Sequence, residues 1–294
     1  MKSTMSLPLT FATLWLFSAP LRAQAQEATE KITKEFTVQG DASRQVLAVY
    51  NLFGSVAVEG YAGNKVLLEV TKTVTAPDDT LLEAGKKEVQ LAFVQRNDSI
   101  IAYTTGPHDS RPNQDLHNHR SRWDHDSPRY RYTINYTVKV PTQLNLHVST
   151  VNGGQVTIAD VAGTLHAHNV NGSVSIKNAR SATDARTVNG NVEVTYARNP
   201  GGPCTYHTIN GQIIATYPPD LGANVHFKSF HGEMYTDFPK TERLAPQVSQ
   251  NKQTDGNGTK YKISKETAVR LGNGGPDLRF ETLNGDVTIK QQSK

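Results

Sequence analysis

The chain of 294 residues is long enough to bury a sizeable core, and its charged fraction of 20% argues against wholesale disorder. Its single cysteine excludes a disulfide framework and any metal site built from several cysteines. Without the first 25 residues, which hold two of the 31 basic residues and none of the 27 acidic ones, the formal charge falls from +4 to +2, so composition gives no case for nucleic-acid binding.

Residues 1–25 have the pattern of a secretory signal peptide. Lys2 precedes a short apolar run at 7–17, and Ala23-Gln24-Ala25 places small residues at a cleavage site. The run is too short to span a bilayer, and no later apolar stretch approaches the roughly 18 residues that a span requires. We therefore predict an exported protein, periplasmic or at the cell surface or extracellular, with no transmembrane segment in its mature chain.

Residues 26–44 are interpreted as an N-terminal lead-in, and residues 45–140 as the first strands of the fold with inserted elements. Leu52-Phe53-Gly54 is a degenerate copy of a corner that recurs later in the chain. Alternating apolar residues and turn signals predict further elements. These are strands at 46–50, 66–74 and 130–140, a helix at 78–87 and a hairpin over 89–103.

The segment 106–129 is rich in Arg, His and Asp, and we expect it to be a mobile loop. Its interleaved basic and acidic residues nearly cancel in charge, which disfavours a nucleic-acid patch. Metal capture by His117, His119 and His125 is an open alternative, and Trp123 is a candidate for stacking on a sugar ring.

A repeat dominates residues 141–239. An apolar residue, then Asn-Gly, then alternating polar and apolar residues recur, with Asn (once His231) at intervals of 19, 18, 21 and 21 residues and a last copy 53 residues further on. Asn-Gly favours positive φ, so each copy predicts a sharp corner between two strands. A β-hairpin is the competing interpretation, but it gives no reason for near-constant spacing. Stacked coils explain why equivalent residues are alike.

Columns of equivalent residues support stacking. The position four before the Asn is mostly apolar, the position two before it is small and polar, and Cys204 falls in another apolar column as a small core residue. We expect the small polar row to form hydrogen-bonded side-chain stacks. The apolar column four before the Asn contains Val148, Ala167, Ala185, Tyr206, Phe227 and Phe280. The small polar row two before it contains Thr150, Asn169, Thr187, Thr208, Ser229 and Thr282.

The predicted fold is all-β: a single-stranded, right-handed-type parallel β-solenoid (β-helix) of rungs of about 20 residues, with a short helix and hairpin insertions. Residues 240–275 interrupt the repeat with a polar stretch around Asp255-Gly256-Asn257-Gly258, which predicts a protruding hairpin. Residues 276–294 are then expected to form the rung that closes the stack, followed by a tail.

The rungs resemble a known family. The Asn-Gly corners, and the final run from Leu271-Gly272-Asn273-Gly274 into Leu283-Asn284-Gly285-Asp286-Val287, are similar to those of the bacterial putative-adhesin family, a domain of unknown function with a toast-rack-like β-solenoid. The resemblance covers residues 45–291 and implies an envelope-associated, non-enzymatic role. The chain departs from the family pattern in its long loop at 106–129 and in Phe53 and His231, which replace Asn.

Positions five and three before the Asn predict an outward face rich in histidine. The candidate binding residues are His147, His166, His168, Arg186, His207, His226 and Lys228. Rungs about 4.8 Å apart would place His147, His166, His168 and Asp184 together, which makes them weak candidates for a divalent metal site. The alternative is an exposed polar ladder. In either case the face gains positive charge below about pH 6.5, which suggests acid-strengthened contact with anionic glycans.

The leading functional prediction is a non-enzymatic binding or scaffold protein of the bacterial cell envelope, with no cofactor and with an envelope or extracellular glycan or protein as partner. A β-helix polysaccharide lyase or hydrolase is the alternative, but the outward acids are scattered over many rungs. None of the catalytic motifs that we considered for hydrolases, phosphate binding or zinc proteases occurs. A periplasmic metal-binding protein is the second alternative.

Overall fold

The structure is a computed structural model that describes residues 25–112, 128–245, 247–255 and 258–293, with side chains throughout except at 247–266. The predicted signal peptide and most of the predicted mobile loop, including His117, His119, His125 and Trp123, lie outside the described residues. Within these ranges no helix is long and apolar enough to cross a membrane.

The described elements are almost all strands, with one short α-helix and one 3-10 turn (Ala42–Arg44). The helix α1 (Asp79–Glu88) begins after Asp78, whose side chain accepts from the N–H of Leu81, and it confirms the helix predicted behind Pro77. The strands are β1 (Gln26–Thr37), β2 (Val46–Tyr50), β3 (Val56–Tyr61), β4 (Lys65–Ala76), β5 (Gln90–Gln95), β6 (Ser99–Gly106), β7 (Arg131–Pro141), β8 (Asn145–Ser149), β9 (Val156–Ala159), β10 (Leu165–His168), β11 (Val174–Ala179), β12 (Thr183–Arg186), β13 (Val192–Tyr196), β14 (Cys204–Asn210), β15 (Ile213–Tyr217), β16 (Ala223–Lys228), β17 (Met234–Thr236), β18 (Thr241–Arg243), β19 (Gln247–Asp255), β20 (Gly258–Leu271), β21 (Asp277–Asn284) and β22 (Val287–Gln291).

The strands form two large mixed sheets. Sheet A has the order β1-β4-β7-β3-β9-β11-β13-β15-β22-β17, and sheet B has the order β18-β20-β16-β21-β14-β12-β10-β8-β2-β6-β5, with β19 paired to β20. In the repeated region each rung contributes one strand to sheet B, then a corner at the Asn, then one strand to sheet A. The two inner faces enclose a core of alternating apolar side chains.

Strands of successive rungs pair in parallel and in the register that the repeat predicts. In sheet B, β8 pairs with β10 and β10 with β12, so that Val148, Ala167 and Ala185 lie side by side in the core. In sheet A, β9, β11, β13 and β15 also pair in parallel, with Val174 beside Val192. The segments between 145 and 217 therefore do not alternate in direction, and the hairpin interpretation of the Asn-Gly copies is wrong.

The prediction of a wholly parallel stack needs correction, because antiparallel strands flank it at both ends. In sheet A, β4 is antiparallel to β7 and to β1, and in sheet B, β5 is antiparallel to β6 and β20 to β16. Short connections can join antiparallel neighbours, whereas parallel ones need a crossover. Strand β1, which the predicted lead-in missed, ends sheet A with a charged, exposed edge that discourages further pairing.

A second correction concerns the last rung, which does not close the stack. Strand β21 lies between β14 and β16, and β22 lies between β15 and β17. The cause is the predicted hairpin insertion, whose strands β19 and β20 pair antiparallel. Strand β20 pairs with one edge of β16. Gly272 and Gly274, both at positive φ, then turn the chain across the end of β16, so that β21 pairs with its other edge, between β16 and β14.

Buried tyrosines add a polar network to the core around Cys204, which is buried as predicted. The Tyr206 hydroxyl lies 2.8 Å from the hydroxyls of both Tyr196 and Tyr217, and the Tyr196 hydroxyl lies 3.3 Å from the Cys204 sulfur. Burial raises the pKa of all three tyrosines well above the ordinary value, so the network stays neutral. The network is therefore a set of mutually satisfied hydroxyl groups between the sheets.

Removing the central hydroxyl tests this network. Tyr206→Phe should lower the free energy of unfolding by about 1–3 kcal/mol, because two buried hydroxyl groups each lose a partner. The matched control is Tyr61→Phe, since the Tyr61 hydroxyl bonds an exposed backbone carbonyl and its loss should cost less than about 0.5 kcal/mol. Urea unfolding of both variants measures the difference, and equal stabilities would contradict a buried network.

Candidate binding face

The corners of the rungs are joined by a ladder of side-chain amides. The Nδ2 group of each Asn donates to the Oδ1 of the preceding one at 2.7–2.8 Å, and Nδ1 of His231 lies 3.2 Å from Oδ1 of Asn284 at the last step. In stacking order the ladder contains Asn152, Asn171, Asn189, Asn210, Asn284 and His231. Phe53 takes the equivalent position in the first rung and pairs with Asn152 through the backbone alone.

Glycine follows each of these positions, and at all of them except Gly153 the backbones of adjacent corners approach closely. A Cβ atom added at Gly190 would overlap the carbonyl oxygen of Gly172, and the same clash with the neighbouring corner occurs at Gly172, Gly211, Gly232 and Gly285. The sequence prediction assigned positive φ to the Asn-Gly corner in general. At these corners positive φ occurs only at glycines, and none of the Asn residues has it.

The small polar row two positions before the corner fixes the register further. Its members were predicted to bond one another. Apart from Ser229, they are buried and donate instead to the glycine carbonyl of the preceding corner, as Thr187 Oγ1 does to Gly172 at 2.7 Å and Thr208 Oγ1 to Gly190 at 2.9 Å. Each bond crosses from one rung to the next, so the rungs cannot slip without leaving a buried carbonyl unpaired.

The register places four of the predicted face residues together on the outside of sheet B. His147 pairs with His166, and His166 with Asp184, at successive rungs, while His168 stands two residues along from His166. The ring of His147 lies 5.8 Å from those of both His166 and His168. Burial and then the neighbouring histidines lower the pKa of His147, because a second positive charge nearby is unfavourable.

Asp184 is the centre of this cluster. Partial burial acts to raise the pKa of its carboxyl, but the two nearby histidines and the hydrogen bonds from Arg186 outweigh it and hold that pKa far below the ordinary value. Nδ1 of His166 and Nε2 of His168 each lie 3.7 Å from a carboxylate oxygen. The guanidinium of Arg186 forms a bidentate pair with Asp184, with contacts of 2.5 and 2.9 Å.

This geometry is poor for a metal ion, because Arg186 occupies both oxygens of Asp184. Among the described residues, no group of three or more His, Cys, Asp or Glu side chains is arranged to hold a metal. The arrangement instead presents imidazole rings around a neutralised carboxylate.

The inserted last rung continues the face. Glu281 on β21 lies between His207 and Lys228, with 3.8 Å to Nδ1 of His207 and 2.6 Å to Nζ of Lys228. Burial acts to raise the pKa of Glu281, but the Lys228 ammonium lowers it to a net value below the usual range. His226, predicted as part of the exposed binding face, is buried, and its Nε2 lies 3.4 Å from Asp277.

Sequence reasoning missed the aromatic end of this face. Tyr50 on β2 packs edge-on against His147 with ring centroids 5.4 Å apart, and on the next strand the Arg111 guanidinium lies 4.3 Å from the ring centre of Tyr103. The signal was present for Tyr50, which occupies the position three before the degenerate corner at Phe53, and Tyr103 pairs with it on β6.

No protein-family model and no curated protein matches the chain. Similar solved structures include a putative cell adhesion protein from Clostridium sporogenes, at 10% identity and a TM-score of 0.42, which covers 90% of this chain and 100% of its own. A putative adhesin from Bacteroides fragilis has 10% identity and a TM-score of 0.35 over 90% and 97% of the two chains. A putative lipid binding protein from Parabacteroides distasonis has 10% identity and a TM-score of 0.25 over 90% of this chain and 97% of its own.

The close approach at the corners can be tested with one methyl group. Gly190→Ala should destabilise the protein by about 1–3 kcal/mol, since the new Cβ would overlap the carbonyl of Gly172. Gly201→Ala is the matched control, because nothing lies within 4 Å of a Cβ at that position. If thermal unfolding gave both variants the same midpoint, the corners would not be closely packed.

Proposed function

We propose that the protein is an exported, non-enzymatic binding protein of the bacterial cell envelope, an adhesin that contacts an anionic glycan through its histidine face. We define this face by the outward residues of sheet B: His147, His166, His168, Asp184, Arg186, His207, Lys228, Arg279 and Glu281. The observation that carries the proposal is that the rung register aligns four histidines with these basic side chains on one surface.

The charge of the face depends on pH in one direction. The three basic side chains and two carboxylates of the face give a net charge of about +1 before its four histidines are counted. Imidazole gains a positive charge in acid, so the net charge of the face rises as the pH falls. Burial and the neighbouring histidines lower the pKa of His147, so this side chain gains its charge only at a more acidic pH. Tyr50, which packs against His147, stays neutral because burial raises its pKa.

The arrangement of acids favours binding over catalysis. A glycosidase needs two carboxylates flanking one bond, one of them free to donate a proton. On this face Asp184 is held by Arg186 and Glu281 by Lys228, and both have lowered pKa values. Groups held ionised in this way are poor general acids but neutralise neighbouring cations, which sets the balance of the surface.

The fold and the N-terminal pattern support the cellular setting of the proposal. The parallel strands in the middle of both sheets are interpreted as coils of a β-solenoid, whose regular outer faces suit extended ligands. The basic start, apolar run and small residues of 1–25 support export.

Binding to dextran sulfate tests the proposal. The protein should bind this polyanion about tenfold more tightly at about pH 5.5 than at about pH 7.5, since about 1.4 kcal/mol of added electrostatic attraction corresponds to that ratio. Surface plasmon resonance at fixed ionic strength measures both affinities.

The triple variant His147→Gln, His166→Gln and His168→Gln should lose most of the pH dependence. His231→Gln is the control, because His231 lies at the corner and not on the histidine face. Equal binding at the two pH values by the unaltered protein would refute the proposal.

A further inference from the structure

A second surface runs along the corners of the rungs. The residue just before each corner position is apolar and at least partly exposed, in contrast to the buried columns of the core. We call this row, together with the neighbouring asparagine ladder, the corner stripe. In stacking order its apolar members are Leu52, Val151, Val170, Val188, Ile209, Leu283 and Phe230.

Exposure along the stripe increases toward the rungs that contain the inserted last coil. The first five apolar members are half-buried, whereas Leu283 is 45% exposed and Phe230 is 74% exposed. Together with Tyr235 they are the large hydrophobic side chains most exposed among the described residues. The Phe230 ring is held by His231, with centroids 4.5 Å apart and planes at 90°. Clustered exposed apolar groups of this kind mark interaction sites.

The amides of the ladder retain hydrogen-bonding capacity. Each primary amide has two N–H donors and an oxygen that accepts two bonds, and the ladder uses one donor and one lone pair of each inner member. Asn171, Asn189 and Asn210 are exposed, so their second donor and second acceptor face solvent. The stripe therefore offers a donor and an acceptor beside an aliphatic group at its inner asparagine rungs.

The composition of the corner stripe disfavours other classes of ligand. Its apolar side chains and asparagines carry no charge, which disfavours an ionic partner. An added peptide strand needs unpaired backbone groups. At the corners these groups are already paired, as the N–H of Asn189 is with Val170 and that of Gly190 with Asn210. A lipid surface would require the exposed amides to be desolvated without partners.

We propose that the corner stripe binds an uncharged polysaccharide lying along the stack, with Phe230 stacking on a sugar ring at its exposed end. Sugar rings combine an apolar face with hydroxyl groups that both donate and accept, which complements alternating aliphatic and amide groups. Seven rungs at about 4.8 Å spacing give a stripe of roughly 29 Å, long enough for several sugar units. This surface is separate from the histidine face and does not depend on its proposed role.

Affinity electrophoresis in soluble neutral polysaccharides tests the inference, with dextran, mannan, xyloglucan and galactomannan as the probes. The unaltered protein should be retarded by at least one of them. Phe230→Ala should weaken that binding about tenfold or more, since truncation of an aromatic anchor has effects of this size. The variant should fold normally because the side chain is 74% exposed.

The histidine triple variant separates the two proposals, because it should bind the neutral polysaccharide as tightly as the unaltered protein does. No retardation by any of the four polysaccharides would overturn the inference. So would retardation that Phe230→Ala and Leu283→Ala both leave unchanged, or that the histidine triple variant abolishes.

Discussion

The structure depends on the registration of one corner over the next. At the inner corners of Asn171, Asn189 and Asn210 three contacts act together: an amide donates to the amide of the neighbouring rung, a buried hydroxyl donates to a glycine carbonyl, and the glycine backbones approach too closely for a side chain. Because the backbone N–H groups of the corner also pair between rungs, a slip of one residue would break all of these bonds. The apolar columns fill the core but could tolerate small shifts that the corners do not.

Registration has the further consequence that side chains far apart in sequence become neighbours on the surface. It creates two faces with different chemistry. The outside of sheet B collects imidazole, guanidinium and carboxylate groups, and Asp184 is neutralised there by Arg186. The corners collect uncharged amide and aliphatic groups, ending at Phe230. Both faces extend over several rungs, so both suit extended ligands better than small molecules enclosed in a pocket.

Much of the fold could be predicted from the sequence, because parallel stacking makes equivalent residues alike and so reveals their columns. The order of the rungs could not, since the gap of 53 residues before Asn284 fixes a distance along the chain and not a position in the sheet. The burial of His226 depends on that order and on β20 beside it. The asparagine ladder was missed because Asn-Gly was interpreted as a turn signal, whereas the amide acts between rungs.

Cross-linking across the inserted rung tests the registration most directly. A double variant with His207→Cys and Glu281→Cys places thiols on paired residues of adjacent strands, and mild oxidation should join them. In the double variant His207→Cys and Lys228→Cys the thiols lie two strands apart, at roughly 9.6 Å, which is too far for a disulfide. Quantitative cross-linking of the first pair alone is the expected result. Cross-linking of the second pair in place of the first would contradict the account.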